Sequence, residues 1–205
     1  MNIAMVTPWP DEKSGIAEYA FDMTDGLIRS GVVITVFTRA SNAEPLNGCN
    51  IISGDDAQNW ELTDYDLLVY HFGNNITFHE HMPSLISNYP GIVHLHDYVL
   101  QHLYAGIANN NNDWEGYFKL IKKYYPAKIV ERIQDSFTRG FSYWERGEVL
   151  DCPLNDEAIN KGYGVIVHSK FAAKNVAKRT KTKPLAIINQ AYNLGRYNEN
   201  KNINK

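Results

Sequence analysis

Short apolar runs rich in Val and Ile recur along this chain, and most are separated by a stretch with helical spacing. That alternation restricts the chain to a few topologies. The first run, residues 2–7, stops at Pro8 and Pro10. The segment after it places Ile16, Tyr19, Ala20, Met23, Leu27 and Ile28 three and four apart, with Ser14 as the expected cap and Gly31 as the stop. Residues 32–37 supply a second, β-branched run. A strand, a helix and a strand in this order imply a right-handed crossover and parallel pairing. Further strands are expected at 50–53, 66–72, 92–95, 163–168 and 184–189, with helices at 76–88, 98–108, 154–161 and 170–179. From Trp114 to Trp144 the strand signal vanishes, and the apolar spacing describes two amphipathic helices parted by Pro126. The expectation is therefore an α/β, doubly wound, mainly parallel sheet of about seven strands with a helical insertion at about 114–144.

Several function classes fall away on simple grounds. At 205 residues the chain suits one core-bearing domain, and no apolar run reaches the roughly 20 residues of a membrane span. The N-terminus runs directly into a strand without a basic start, so a cytoplasmic location is expected. Cys49 and Cys152 lie too far apart in sequence to suggest a CxxC metal site, and both are expected to be reduced bystanders. Charge is uneven: residues 1–160 hold 10 Lys/Arg against 22 Asp/Glu, whereas residues 161–205 hold 10 Lys/Arg against Glu199 alone. The stretch Lys170–Lys183 is thus a candidate for peripheral contact at the inner face of a membrane, although a solvated helix face with a polar tail is the plainer reading. Nucleic acid is not an expected partner.

Ligands of open parallel sheets collect at the carboxyl ends of the strands, so the residues expected there carry the functional argument. In the first loop, Gly15 lets a backbone approach a ligand, and the helix behind it offers amides to a phosphate. This loop is neither GxGxxG nor a Walker motif, which disfavours a dehydrogenase or a P-loop ATPase. The fifth strand ends abruptly on His96-Asp97, and His71, His94 and His168 fall at or near other strand ends. His94 and His96 share a face in a regular strand. They could hold a metal, as in a metallohydrolase, or His96 could donate hydrogen bonds to a polyhydroxylated ligand. His79, His81 and His102 are expected to be ordinary helix-borne residues of the surface or boundary. Asp64-Tyr65-Asp66 precedes its strand and reads as a solvated turn on the opposite edge. No GxSxG elbow supports a serine hydrolase.

Four segments in order carry a resemblance: Asn2-Ile3-Ala4-Met5-Val6-Thr7-Pro8 with Ser14-Gly15-Ile16-Ala17-Glu18-Tyr19, then Tyr70-His71-Phe72-Gly73-Asn74, then Val93-His94-Leu95-His96-Asp97, and Val165-Ile166-Val167-His168-Ser169. Together they resemble the N-terminal, acceptor-side domain of GT-B glycosyltransferases, specifically glycosyltransferase family 4, from Met1 to about Gln190. The resemblance implies a Rossmann-like domain at 1–190, with 191–205 as a polar tail beginning the donor-binding half. It implies retaining, metal-free transfer from a nucleotide-sugar to a glycan or lipid-linked acceptor, with no cofactor. It assigns catalysis to His96 and Asp97, the donor phosphate to Ser14 and Gly15, and the acceptor-side cleft to Trp9, His71, Gly73, Asn74, His168 and Ser169. The family's E-x7-E element has no counterpart, since no Glu here is followed by another eight positions on. The donor half is therefore expected elsewhere, as a partner chain in a split enzyme or through truncation, and the chain alone is expected to be inactive. A sugar-binding module without catalysis is the alternative.

Overall fold

A computed structural model describes residues 1–145, 147–180 and 182–190. The expected tail at 191–205 lies outside the described residues, as does Lys181 of the basic stretch. The strands are β1 (Asn2–Val6), β2 (Val33–Thr38), β3 (Asn50–Ser53), β4 (Leu67–Phe72), β5 (Ile92–Leu95), β6 (Gly164–Val167) and β7 (Leu185–Ile187). They form one sheet in the order β3-β2-β1-β4-β5-β6-β7, and every pairing is parallel. This is the doubly wound, Rossmann-like α/β arrangement. No helix among the described residues is long and apolar enough to cross a membrane.

Both faces of the sheet are covered. Along β1, Ala4 and Val6 belong to one apolar cluster and Ile3 and Met5 to another, as alternation in a strand requires. The helices are α1 (Gly15–Arg29), α2 (Ile76–His79), α3 (Met82–Asn88), α4 (Gln101–Asn110), α5 (Trp114–Tyr124), α6 (Ala127–Thr138), α7 (Asp156–Lys161) and α8 (Lys170–Ala177). The insertion is the pair α5–α6, split at Pro126 as its sequence demands. The aromatic rings of this excursion are largely internal packing: Phe137 lies 4.9 Å from Trp114 and 5.3 Å from Phe118, centroid to centroid.

Two helix expectations need correction. The helix expected over 76–88 is two, because Pro83 sits in the first turn of α3, where its missing N–H costs nothing, and opens a new helix. The helix expected from residue 98 begins at Gln101, after Leu100 donates its amide to Pro153 O at 2.7 Å instead of joining a helix. The Asp64–Asp66 turn lies at the amino edge of the sheet. Asn2 N donates to Asp66 Oδ2 at 2.7 Å, and Asp66 N to Asn2 O at 2.9 Å, which ties the start of β1 to that of β4.

Candidate functional site

The strand order reverses around β1, which has β2 on one side and β4 on the other. Chains leaving the carboxyl ends of β1 and β4 therefore part and open a crevice. Ser14 caps α1 by accepting from Ile16 N at 3.2 Å, so its hydroxyl is committed to the helix. Gly15 beside it is exposed, with open space where a side chain would be. Gly73, just past β4, is buried. An added Cβ there would run into Ile16 Cδ1 and come within 2.5 Å of His79 Nε2, so glycine is what lets the β4 loop close against α1.

Behind this loop stands a column of imidazoles. His71 in β4 and His94 in β5 are register partners, and His96 follows just beyond the end of β5. His96 Nε2 lies 3.0 Å from His71 Nδ1, and His96 Nδ1 lies 3.0 Å from His168 Nε2. His168 Nδ1 lies 2.7 Å from the carbonyl of Ile188. A carbonyl only accepts, so with one proton per ring the sense of the whole chain follows. His168 donates from Nδ1 to Ile188, His96 from Nδ1 to His168, and His71 from Nδ1 to His96. His71 Nε2 is then a bare lone pair, and neither it nor either nitrogen of His94 has a partner among the described residues. Tyr19, on the second turn of α1, packs edge-on against His94, His96 and His168 at 5.0–5.5 Å.

Burial, reinforced by neighbouring imidazoles, drives the rings of His71, His94 and His96 toward the neutral form. It pushes His94 down to about 3 and His96 to about 2, with His71 well below its usual range. His79, expected at the surface or boundary, is instead about 1% exposed and lowered to about 3. Its position in α2 turns it inward against Gly73. His81, half-buried, is likewise lowered to about 3 by burial and then by Arg39.

Could the column hold a metal? His71, His94 and His96 each offer a nitrogen within 4.8 Å of the others. Yet the rings of His94 and His96 stack at 4.6 Å with planes only 24° apart. In-plane lone pairs of stacked rings run side by side, whereas an ion at about 2.0–2.1 Å needs them to converge. Both nitrogens of His96 are also engaged already. A metallohydrolase would require these rings to turn, and the arrangement gives that reading no support.

The surface open to a ligand lies on the other side of the β4 and β5 loops. A pocket of about 710 Å³ is lined by Asn74, Asn75, Asp97, His102, Asn109 and the two indoles of Trp114 and Trp144, with Ile76, Ala105 and Gly106 as apolar floor. Asp97 is exposed, and Asn74 N donates to its Oδ2 at 2.8 Å. The expected site residues thus separate into groups. Gly15, Asn74, Asp97 and, at the end of β6, His168 and Ser169 stand at the carboxyl edge, where Ser169 caps α8 by accepting from Ala172 N at 3.1 Å. Trp9, His71 and Gly73 offer the crevice no surface. Trp9 is fully buried, donates from its indole to Glu44 O at 2.7 Å and packs on Phe21. His71 is sealed beneath His96, and Gly73 is a packing glycine. His96 itself cannot donate to a ligand from either ring nitrogen while the imidazole chain stands, which corrects the role expected of it.

His102 is the pocket residue that sequence reasoning missed, since it reads as one more helix-borne histidine. The aromatic stretch from Trp114 to Trp144 reads either as an acceptor groove, as lipid contact or as helix-to-sheet packing, and nothing in the local pattern singles out Trp144 as facing the same cavity as Asp97. No protein-family model matches the chain, and no curated protein matches it.

Proposed function

We propose that the chain is the acceptor-side half of a retaining glycosyltransferase that moves a sugar from a nucleotide-sugar to a hydroxyl-bearing acceptor. One observation carries the reading. The exposed Gly15 at the mouth of α1 and Asp97 just past β5 both stand at the carboxyl edge of the sheet, on either side of β4 and next to the point where the strand order reverses, and Asp97 lines a pocket of about 710 Å³. The resemblance of the four ordered segments to glycosyltransferase family 4 agrees with that placement.

In this reading the Gly15 amide and the partial positive charge at the start of α1 face the donor diphosphate, while Ile16 N and Ala17 N are held by Ser14 and shape that turn. Asp97 receives the acceptor hydroxyl and can accept its proton as the glycosidic bond forms. His96 acts by position. Its ring, fixed between His71 and His168, sets the end of β5 and so the aim of Asp97. The basic groups that would neutralise the leaving diphosphate belong to a donor-binding half, carried by further sequence or by a partner chain.

The test is amide NMR of this chain titrated with UDP, GDP and ADP. Shifts confined to Gly15, Ile16 and Ala17 are expected for the nucleotide of the true donor. No response at those amides to any of the three at about 10 mM would sink the reading, because the start of α1 would then contribute no contact to a donor diphosphate. With a donor-binding half supplied, Asp97→Asn should cost on the order of 10²–10⁴ in transfer rate.

A further inference from the structure

The pocket beside Asp97 is built for more than access. Asn74 engages its backbone N and both polar atoms of its side chain within the protein. Its backbone N donates to Asp97 Oδ2 at 2.8 Å, its Oδ1 accepts from Leu103 N at 3.2 Å, and its Nδ2 lies 2.8 Å from His102 Nδ1. Because Leu103 N can only donate, the amide orientation is settled, and Nδ2 is the donor to His102. His102 Nδ1 is therefore an acceptor, and in the neutral ring the proton sits on Nε2. One asparagine thus fixes a carboxylate with Oδ1 to spare and an imidazole whose remaining nitrogen is a donor.

The walls are of a different kind. His102 and Trp144 lie 5.6 Å apart, centroid to centroid, and Trp144 is backed by Phe137 at 6.2 Å. Trp114 closes the pocket from the start of α5. The floor is brought close by Gly106, where a Cβ would come within 2.7 Å of Ile76 Cδ1, so α4 and α2 approach as no larger residue would permit. Among the described lining residues there is a carboxylate and no lysine or arginine. A phosphate or carboxylate ligand would meet repulsion there without compensation.

A flat aromatic wall together with an anchored acceptor and donor suits a ring that is apolar on its faces and hydroxylated around its rim. We propose that this pocket binds an uncharged pyranose ring of the acceptor, with adjacent hydroxyls donating to Asp97 Oδ1 and accepting from His102 Nε2, and with a ring face against Trp144. This rests on the reading of the crevice as a glycosyl-transfer site and narrows it. The acceptor group held here is a neutral sugar, and a diphosphate-linked lipid would place its charge outside the pocket.

The experiment is saturation-transfer NMR on this chain with three classes of probe: methyl β-D-glucopyranoside, methyl α-D-mannopyranoside and methyl N-acetyl-β-D-glucosaminide as neutral sugars, glucose 1-phosphate as anion, and phenol as flat aromatic. At least one neutral glycoside should receive saturation, and the signal should fall at least about fivefold in Trp144→Ala and in Asp97→Asn. Asp97 is exposed and Asn retains an accepting oxygen for Asn74 N, so that second variant keeps the fold and guards against a Trp144 change that merely loosens α6. Binding of glucose 1-phosphate or phenol in preference to all neutral glycosides would overturn the proposal. So would glycoside binding that survives in both variants, or no binding of any probe at about 50 mM. The diphosphate titration at Gly15 reads a different wall. Sugar binding without a nucleotide response would refute the transferase and leave a sugar-binding module, while the converse would refute this pocket alone.

Discussion

Mild acid should unfold this protein well before its carboxylates titrate. His71, His79 and His94 are each about 1% exposed or less, and burial holds each below its usual 6.5. The unfolded chain protonates all three near 6.5, so it binds more protons than the native state below that pH. Stability is thus complete above about pH 6.5 and falls as pH drops toward 3, the native value of His79 and His94. At pH 5.5, one unit below 6.5, His79 and His94 together cost about 3 kcal/mol, and His71 adds to the loss in the same direction. That is a large share of the roughly 5–15 kcal/mol typical of a domain. His96 and His81, lowered for the same reason, push in the same direction. Glu157 is held below 4.5, by Lys123 and Tyr124 against its own burial, and its contribution is lost only in more acid solution. Urea unfolding followed by tryptophan fluorescence at half-unit steps from pH 7.5 to 4.5 measures the effect. The free energy should fall with a slope corresponding to three or more protons near pH 5, about 1.4 kcal/mol per proton per pH unit. An unchanged midpoint between pH 7.5 and 5.5, with unchanged m, would refute the neutral, sealed column.

Other perturbations test the packing around the site. In Gly91→Ala the new Cβ would sit 2.5 Å from Leu68 O and 2.7 Å from its Cβ, forcing β5 off β4. A loss of about 2–3 kcal/mol is expected by urea denaturation, and a loss below about 0.5 would mean the sheet yields without strain. Trp9→Ala removes a fully buried indole from the core beside α1, and Trp9 is not among the residues lining the Asp97 pocket. It should lower stability by about 3–5 kcal/mol while leaving sugar saturation at the Asp97 pocket intact. Loss of that saturation in a folded Trp9 variant would place Trp9 back in the crevice.

Much of the architecture could be read from the chain because its signals are local. Val and Ile runs cut off by Pro8, Gly31 or Gly91, and the helical spacing from Ile16 to Ile28, act over a single turn or strand, and so the strand list, the parallel pairing and the split at Pro126 follow from neighbours in sequence. Pro83 was equally local, yet its effect was missed, since a proline in a first turn and a proline that breaks a helix look alike until the flanking caps are seen. The strand-end position of His71, His94, His96 and His168 was likewise legible, because a polar residue that ends an apolar run reports the edge of the sheet.

What each of those histidines faces was not local. His71 and His94 meet only because β4 and β5 pair in one register, and His168 reaches His96 across 72 positions of chain. Sequence alone determined that imidazoles, Asp97 and Gly15 gather at one edge of a parallel sheet. Tertiary structure decided that the imidazoles turn inward, with His71, His96 and His168 bonded in a chain, so that Asp97 remains outward. It also decided that His102 and Trp144, from α4 and from beyond α6, complete the pocket around it. Side-chain direction at a strand end depends on which neighbour fills the space beside it, and that neighbour is chosen by packing across the whole sheet.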